Sequence, residues 1–260
     1  VNLKQITIVP PNGLNLTLGS VIYTSGAPAG YTIDTLDLDP SPRRLYVANL
    51  ALVPGAVVAP GQLEGRTVRV AGTIVGGDAE AVRVARTTLL RALNDGSGEL
   101  VAIRWATEGT VRELRGHLDG AVECSSTGSH FLGYEFAVVC PNPVAYSTTQ
   151  SSGVWGDPLP ILNVGTAAAW PELTVTPTGG SQVTITNSTT GESLTITGVT
   201  PGDEVVVVTE PGYENITVEG VPAFNLMSST SRFPRLAAGQ NTTTISGGTA
   251  TATWYAGWGE

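Results

Sequence analysis

Residues able to do acid–base, nucleophilic or metal chemistry are few in this 260-residue chain, and their spacing suits none of it. The two histidines, His117 and His130, stand apart and in no His-x-x-x-His arrangement, so neither forms half of a zinc site. Both are read as structural or solvent-exposed. Asp34, Asp37 and Asp39 alternate with Ile33, Leu36 and Leu38, a spacing that brings calcium to mind. They lack the Asp-x-Asp-x-Asp-Gly order and the distal glutamate, and a solvated loop or edge strand is favoured. Asp203, Glu204, Glu210 and Glu214 offer carboxylates for glycoside hydrolysis, but each lies beside a Pro-Gly turn and reads as a loop charge. There is no Gly-x-Ser-x-Gly elbow, phosphate-binding loop or dinucleotide fingerprint. No catalytic residue, metal ligand or cofactor-binding residue is therefore assigned, and no cofactor is expected. Cys124 and Cys140 are too far apart for a metal knuckle or a redox motif, and are expected as free thiols.

Aromatic faces can stack on sugar rings, so the five tryptophans raise a binding alternative. Trp254 falls within a strand-like run and Trp170 opens one, which are core placements. Trp155 and Trp258 sit beside glycines and are the candidates for exposure and sugar contact. The Asn-x-Ser/Thr triplets at Asn15, Asn187, Asn215 and Asn241 are explained by the abundance of threonine.

The elements that would position these residues are mostly strands. Glycine (32) and proline (17) are frequent, charged residues make up 13%, and many of the apolar residues are valines alternating with threonine. The formal charge is −9, divided as 11 basic against 13 acidic residues in 1–150 and 2 against 9 in 151–260. So acidic a surface cannot neutralise phosphates, which excludes stable nucleic-acid binding. No run of about 18 apolar residues is available to span a bilayer, and Val1-Asn2-Leu3-Lys4 does not begin a secretion signal. No membrane insertion is expected, and synthesis in a cytoplasm is.

One helix is predicted, over Asp78–Asn94, because Val82, Ala85, Leu89, Ala92 and Leu93 recur at three- and four-residue steps. Asp78 caps its start, Glu80 and Arg91 suit the dipole, and Asn94-Asp95-Gly96 makes a left-handed stop. Arg83, Arg86 and Arg91 are read as its solvated face, with a subunit contact as the alternative, since arginine is enriched at interfaces. Strand-like runs surround it at 43–52, 66–75, 99–105, 111–122 and 130–140. Between the first two lies an apolar stretch, Val53 to Gly61, bounded by Pro-Gly pairs. It reads as an exposed hairpin arm, with Val53, Pro54, Val57, Val58 and Pro60 as candidate subunit contacts. From Tyr146 to Ala169 the chain turns rich in Ser, Thr, Gly and Pro, and a domain boundary is placed after residue 150. Beyond it, short runs at 173–176, 182–187, 192–198, 203–209, 216–218 and 249–255 predict an antiparallel sandwich.

The second half also carries an ordered set of motifs. Trp170-Pro171-Glu172-Leu173 is followed by Asn187-Ser188-Thr189-Thr190-Gly191 and Gly202-Asp203-Glu204. Then come Val218-Glu219-Gly220, Phe233-Pro234-Arg235-Leu236 with Gly239-Gln240-Asn241, and a closing Thr253-Trp254-Tyr255. This order resembles the C-terminal domain of siphophage distal tail proteins. Gly65 to Gly72, the helix after it and Phe136 to Pro143 are similar, more loosely, to that family's N-terminal domain. The resemblance covers residues 43 to 258.

The resemblance implies a mainly β chain of two domains. Residues 1–150 would form a tail-tube-like β-sandwich or barrel with one helix, and 151–260 a galectin-like or carbohydrate-module-like antiparallel sandwich. It implies a virion protein of the tail tip, forming a homo-hexameric ring in which the arm belts the neighbouring subunit. Its partners would be the tail tube protein, the tape-measure protein, the baseplate hub and a receptor-binding protein, with DNA leaving through the lumen. The alternatives are a carbohydrate-binding adhesion module acting through Trp155 or Trp258, another minor tail protein, and a glycosidase fragment.

Overall fold

The computed structural model describes residues 5–11, 15–19, 30–38, 43–49, 56–93, 100–107, 109–126, 128–156 and 160–259. The chain is mainly β, with antiparallel pairing throughout the described ladders and one α-helix among those residues. It divides into two compact units, 1–145 with 259–260, and 146–258.

In the first unit the strands are β1 (Gln5–Val9), β2 (Leu16–Gly19), β3 (Gly30–Tyr31), β4 (Thr35–Asp37), β5 (Arg43–Asn49), β6 (Ala56–Leu63) and β7 (Arg66–Val75). After the helix α1 (Ala79–Leu93) come β8 (Val101–Thr107), β9 (Thr110–Ser126) and β10 (Phe131–Cys140). The ladder runs β2-β1-β8-β9-β10-β7, with β3 and β4 both paired to β7. Because β2 and β3 lie alongside each other, the two ends of the ladder approach one another. α1 packs against both ends, touching β1, β2 and β7. The five residues predicted to face the core, Val82, Ala85, Leu89, Ala92 and Leu93, are the five that are buried. Asp78 Oδ1 accepts the Ala81 N–H at 2.7 Å, which satisfies one of the helix's orphan donors. The Tyr31 hydroxyl donates to the Ala85 carbonyl at 2.9 Å and fastens the helix to β3. The expected stop at Asn94 to Gly96 lies outside the described residues.

β5 and β6 form a two-stranded sheet of their own, in register from Asn49↔Ala56 to Arg43↔Leu63. The hairpin is therefore longer than the predicted arm, since residues 43–49 of the run at 43–52 supply its first strand. Val57, Val58 and Pro60 lie on β6, while Val53 and Pro54 fall outside the described residues.

The second unit contains β11 (Ala145–Trp155, from Tyr146 on), β12 (Ile161–Asn163), β13 (Glu172–Pro177), β14 (Gln182–Asn187), β15 (Glu192–Thr197) and β16 (Val205–Val208). β17 (Asn215–Val218), β18 (Val221–Pro222), β19 (Gly239–Asn241), β20 (Thr243–Ser246) and β21 (Gly248–Trp258) complete it. One sheet runs β18-β17-β16-β13-β21, a second β15-β14-β20, and β12 pairs with β19. Alternation fixes the inner faces: Leu173, Val175, Val205, Val207, Ala250 and Ala252 from the first sheet, Val183, Ile185, Leu194 and Ile196 from the second. The polar stretch that begins at Tyr146, read as marking a domain boundary, is strand as far as Trp155. Except for the buried Ser147, its Ser, Thr and Gln residues lie on exposed or half-buried positions of β11, so polarity there marked solvent contact and not absence of structure.

Candidate functional site

The motif residues of the second unit converge on one buried hydrogen-bonded cluster. Asn187 ends β14, Asn241 ends β19 and Asn163 ends β12, and none of the three is more than 1% exposed. Asn187 Nδ2 donates to the Arg235 carbonyl at 2.6 Å and to Asn241 Oδ1 at 3.0 Å. Asn241 Oδ1 also accepts the Ala237 N–H, while its Nδ2 donates to the carbonyls of Ala237 and Gly239. Asn163 Nδ2 donates to the Ala167 carbonyl at 2.9 Å, and its Oδ1 accepts the Gly165 N–H at 3.1 Å. An amide carries two donors and an acceptor with two lone pairs, so three of them can hold a non-repetitive backbone segment that no strand ladder satisfies. That segment is 235–238, which makes one isolated bridge, Leu236 to Ala169, and leads into β19. Its outer side is held by Arg235, whose guanidinium lies 5.9 Å from the Trp170 ring centroid and 3.3 Å from Glu192. Gly239 supports the turn at φ +87°, which other residues rarely adopt.

A second polar constellation lies on the first unit. Glu113 on β9 is held by the Nε–H groups of Arg104 on β8 and Arg115 on β9, each at 2.6 Å. Burial pushes the Glu113 carboxyl up, and the hydrogen bonds from Arg115 and Arg104 more than reverse this, leaving it below the usual carboxylate range. The three line a cleft of about 460 Å³ with Val9, Pro10, Pro11 and Leu100. Nothing in the composition pointed to this clamp. The signal was Glu113 and Arg115 two apart on a strand, hence on one face.

Other expected positions carry no joint chemistry. His117 and His130 are both exposed, and His130 Nδ1 lies 3.3 Å from the Gly76 carbonyl. The Asp34 carboxylate accepts from the hydroxyls of Thr32 and Thr73, at 3.3 and 3.2 Å, and its backbone N–H donates to the Ala71 carbonyl, beside the edge strand β4. Asp39 lies outside the described residues. Asp203 accepts the Thr200 N–H and Glu214 the Gly212 N–H, so both carboxylates serve turns. Among the described residues no three His, Cys, Asp or Glu side chains group as metal ligands. No described helix is long and apolar enough to cross a membrane. Both cysteines are free; burial pushes the Cys140 thiol up to about 11.

The expected exposure of Trp155 and Trp258 is wrong. They are 1% and 6% exposed, and Trp155 donates its indole N–H to the Thr186 carbonyl at 3.2 Å. The neighbouring glycine signals close packing: a Cβ on Gly156 would meet Ile245 Cγ2 at 2.7 Å. Gly257, beside Trp258, lies with its backbone against Gly165. A ring covered on both faces has nothing to offer a pyranose.

Comparison with known proteins gives a consistent picture. Residues 164–258 match the family model described as the siphovirus-type tail component, C-terminal domain, a span that contains every motif from Trp170 to Tyr255. The chain is similar in fold to SPP1 Dit, a protein described as a paradigm of the hub adsorption apparatus in phages infecting Gram-positive hosts. The likeness covers 87% of this chain and 93% of that one, with a TM-score of 0.68 at 16% identity. The phage P2 baseplate in its calcium-activated conformation aligns over 96% of this chain and 97% of its own, at 9% identity and a TM-score of only 0.47. No curated protein sequence matches the chain.

Proposed function

We propose that this chain, whose residues 164–258 match the siphovirus-type tail component family model, works as a distal tail protein in a phage virion. The observation that carries the reading is that family match, which takes in Asn187, Asn241 and the loop they hold. The fold likeness to SPP1 Dit extends over the first unit as well. The mechanism is geometric and involves no catalysis. Six first units close a ring between the last ring of the tail tube and the tip hub, and the β5–β6 arm, which carries Val57, Val58 and Pro60, wraps the neighbouring subunit. A cyclic ring of identical contacts satisfies every copy equally, which is why closed symmetry suits a joint between two tubular parts. The second unit hangs outside, its two basic residues outnumbered by acidic ones, and carries the receptor-binding protein. The tape-measure protein ends at the lumen and DNA leaves through it, with like charge keeping the polyanion from adhering.

Gold-labelled antibody raised against the purified chain tests this on negatively stained virions. Label confined to the tail tip supports the reading. Label along the tube, or on no part of the virion, sinks it.

A further inference from the structure

We infer that neighbouring copies of the first unit interlock by a charged contact: Asp34, at the head of the edge strand β4, seats in the next copy's Arg104–Arg115 cleft. This rests on the ring reading above.

The cleft is cationic in an anionic protein. Arg104 and Arg115 share a single carboxylate, Glu113, so the site keeps an excess of one positive charge in a chain of net charge −9. Each arginine spends its Nε–H on Glu113, and among the described residues their terminal N–H groups donate to nothing. The Arg104 and Arg115 side chains are 37% and 68% exposed, and the wall beside them is apolar, with Leu100 40% exposed. A guanidinium with open donors beside an apolar wall fits a carboxylate carried on a protein segment better than it fits a free ion.

The chain bears such a segment. Asp34 is exposed, and its carboxylate receives only two long hydroxyl contacts. The strand that follows it pairs with β7 alone among the described strands. Leu36 and Leu38 beside it are half-buried against the core and hold the segment in place.

The two surfaces lie far apart on the unit. From β8 the ladder reaches β4 through β9, β10 and β7 in one direction, and through β1, β2 and β3 in the other. A knob and a socket on opposite sides make a heterologous contact, which propagates head to tail and closes into a ring; a two-fold dimer would need them side by side.

Charge exchange tests the contact on the full-length chain. Asp34→Arg and Arg115→Asp should each raise the concentration at which hexamers dissociate, by about tenfold or more, in native mass spectrometry. The double variant should restore hexamers, which damaged folding would not do. Arg115→Ala, keeping the Arg104–Glu113 pair, serves as the gentler variant, and circular dichroism confirms that the monomers are folded. Hexamers persisting in all single variants, or no rescue in the double, would overturn the contact and leave the ring reading standing. Loss of hexamers with Arg115→Asp but not with Asp34→Arg would mean another acidic segment fills the cleft, and would also overturn it. A wild type monomeric at every concentration would overturn self-assembly itself.

Discussion

The two units solve the same problem, burying a β core, with different chemistry. The first packs aliphatic and aromatic side chains around α1 and ties its charges into ion pairs, exposed in Glu80–Arg83 and partly buried where Glu113 meets Arg104 and Arg115. The second adds three buried asparagines that hold a backbone segment by directed hydrogen bonds. Apolar packing constrains volume and accepts many residues of similar size, whereas an amide bound to several backbone groups has no substitute of the same shape and hydrogen-bonding capacity. The first kind of core leaves a periodic pattern in a sequence. The second leaves named residues at fixed places, which is why the motifs are sharp from Trp170 onward and loose before it.

The largest expected effect breaks this comparison if it fails. Asn241→Asp is nearly isosteric but turns an oxygen toward the carbonyls of Ala237 and Gly239, and should destabilise the second unit by about 4 kcal/mol. Denaturant unfolding followed by tryptophan fluorescence reads this well, because four of the five tryptophans lie in that unit. A loss under about 1 kcal/mol would mean that the cluster is not what specifies the loop.

In the first unit, Leu89→Ala should cost about 3 kcal/mol through the cavity it leaves beneath α1, whereas Leu89→Met should cost less than about 1.5 kcal/mol. Equal losses for the two would refute the claim that volume, and not identity, governs this core. Circular dichroism of the helix separates them.

Alkali should weaken the first unit. The Cys140 thiol is raised from about 9 to about 11 by burial, and Tyr31 to about 12 for the same reason. A folded-state value above the unfolded one means that stability is complete below pH 9 and drains away as pH rises toward 11 and beyond. Cys140→Val should remove the earlier part of that decline in urea unfolding measured at successive pH values. An unchanged profile would exclude the thiol as its source.

The smallest effect is at the helix start. Asp78→Ala removes the acceptor for the Ala81 N–H and should cost about 1 kcal/mol in thermal unfolding. A neutral result would show that water replaces the cap without loss.

How much the sequence revealed follows the same division. The helix, its five core residues and the strand Arg66–Val75 were legible because period alone identifies them. Asn187, Gly239 and Asn241 were legible as motif members, though not as partners, since 54 residues separate Asn187 from Asn241. β1 and β2 were missed. They are only five and four residues long, too short for alternation to stand out, although Ile6, Ile8, Leu16 and Leu18 are all buried. The tryptophans misled because a glycine neighbour was taken to mean exposure, when the glycine is there to admit close packing.

The central claim is that this chain makes a ring, and electron microscopy of the purified full-length protein tests it most directly. The account predicts particles with six-fold symmetry, an open centre and six peripheral lobes. Compact single particles with no central opening, at every concentration imaged, would contradict it.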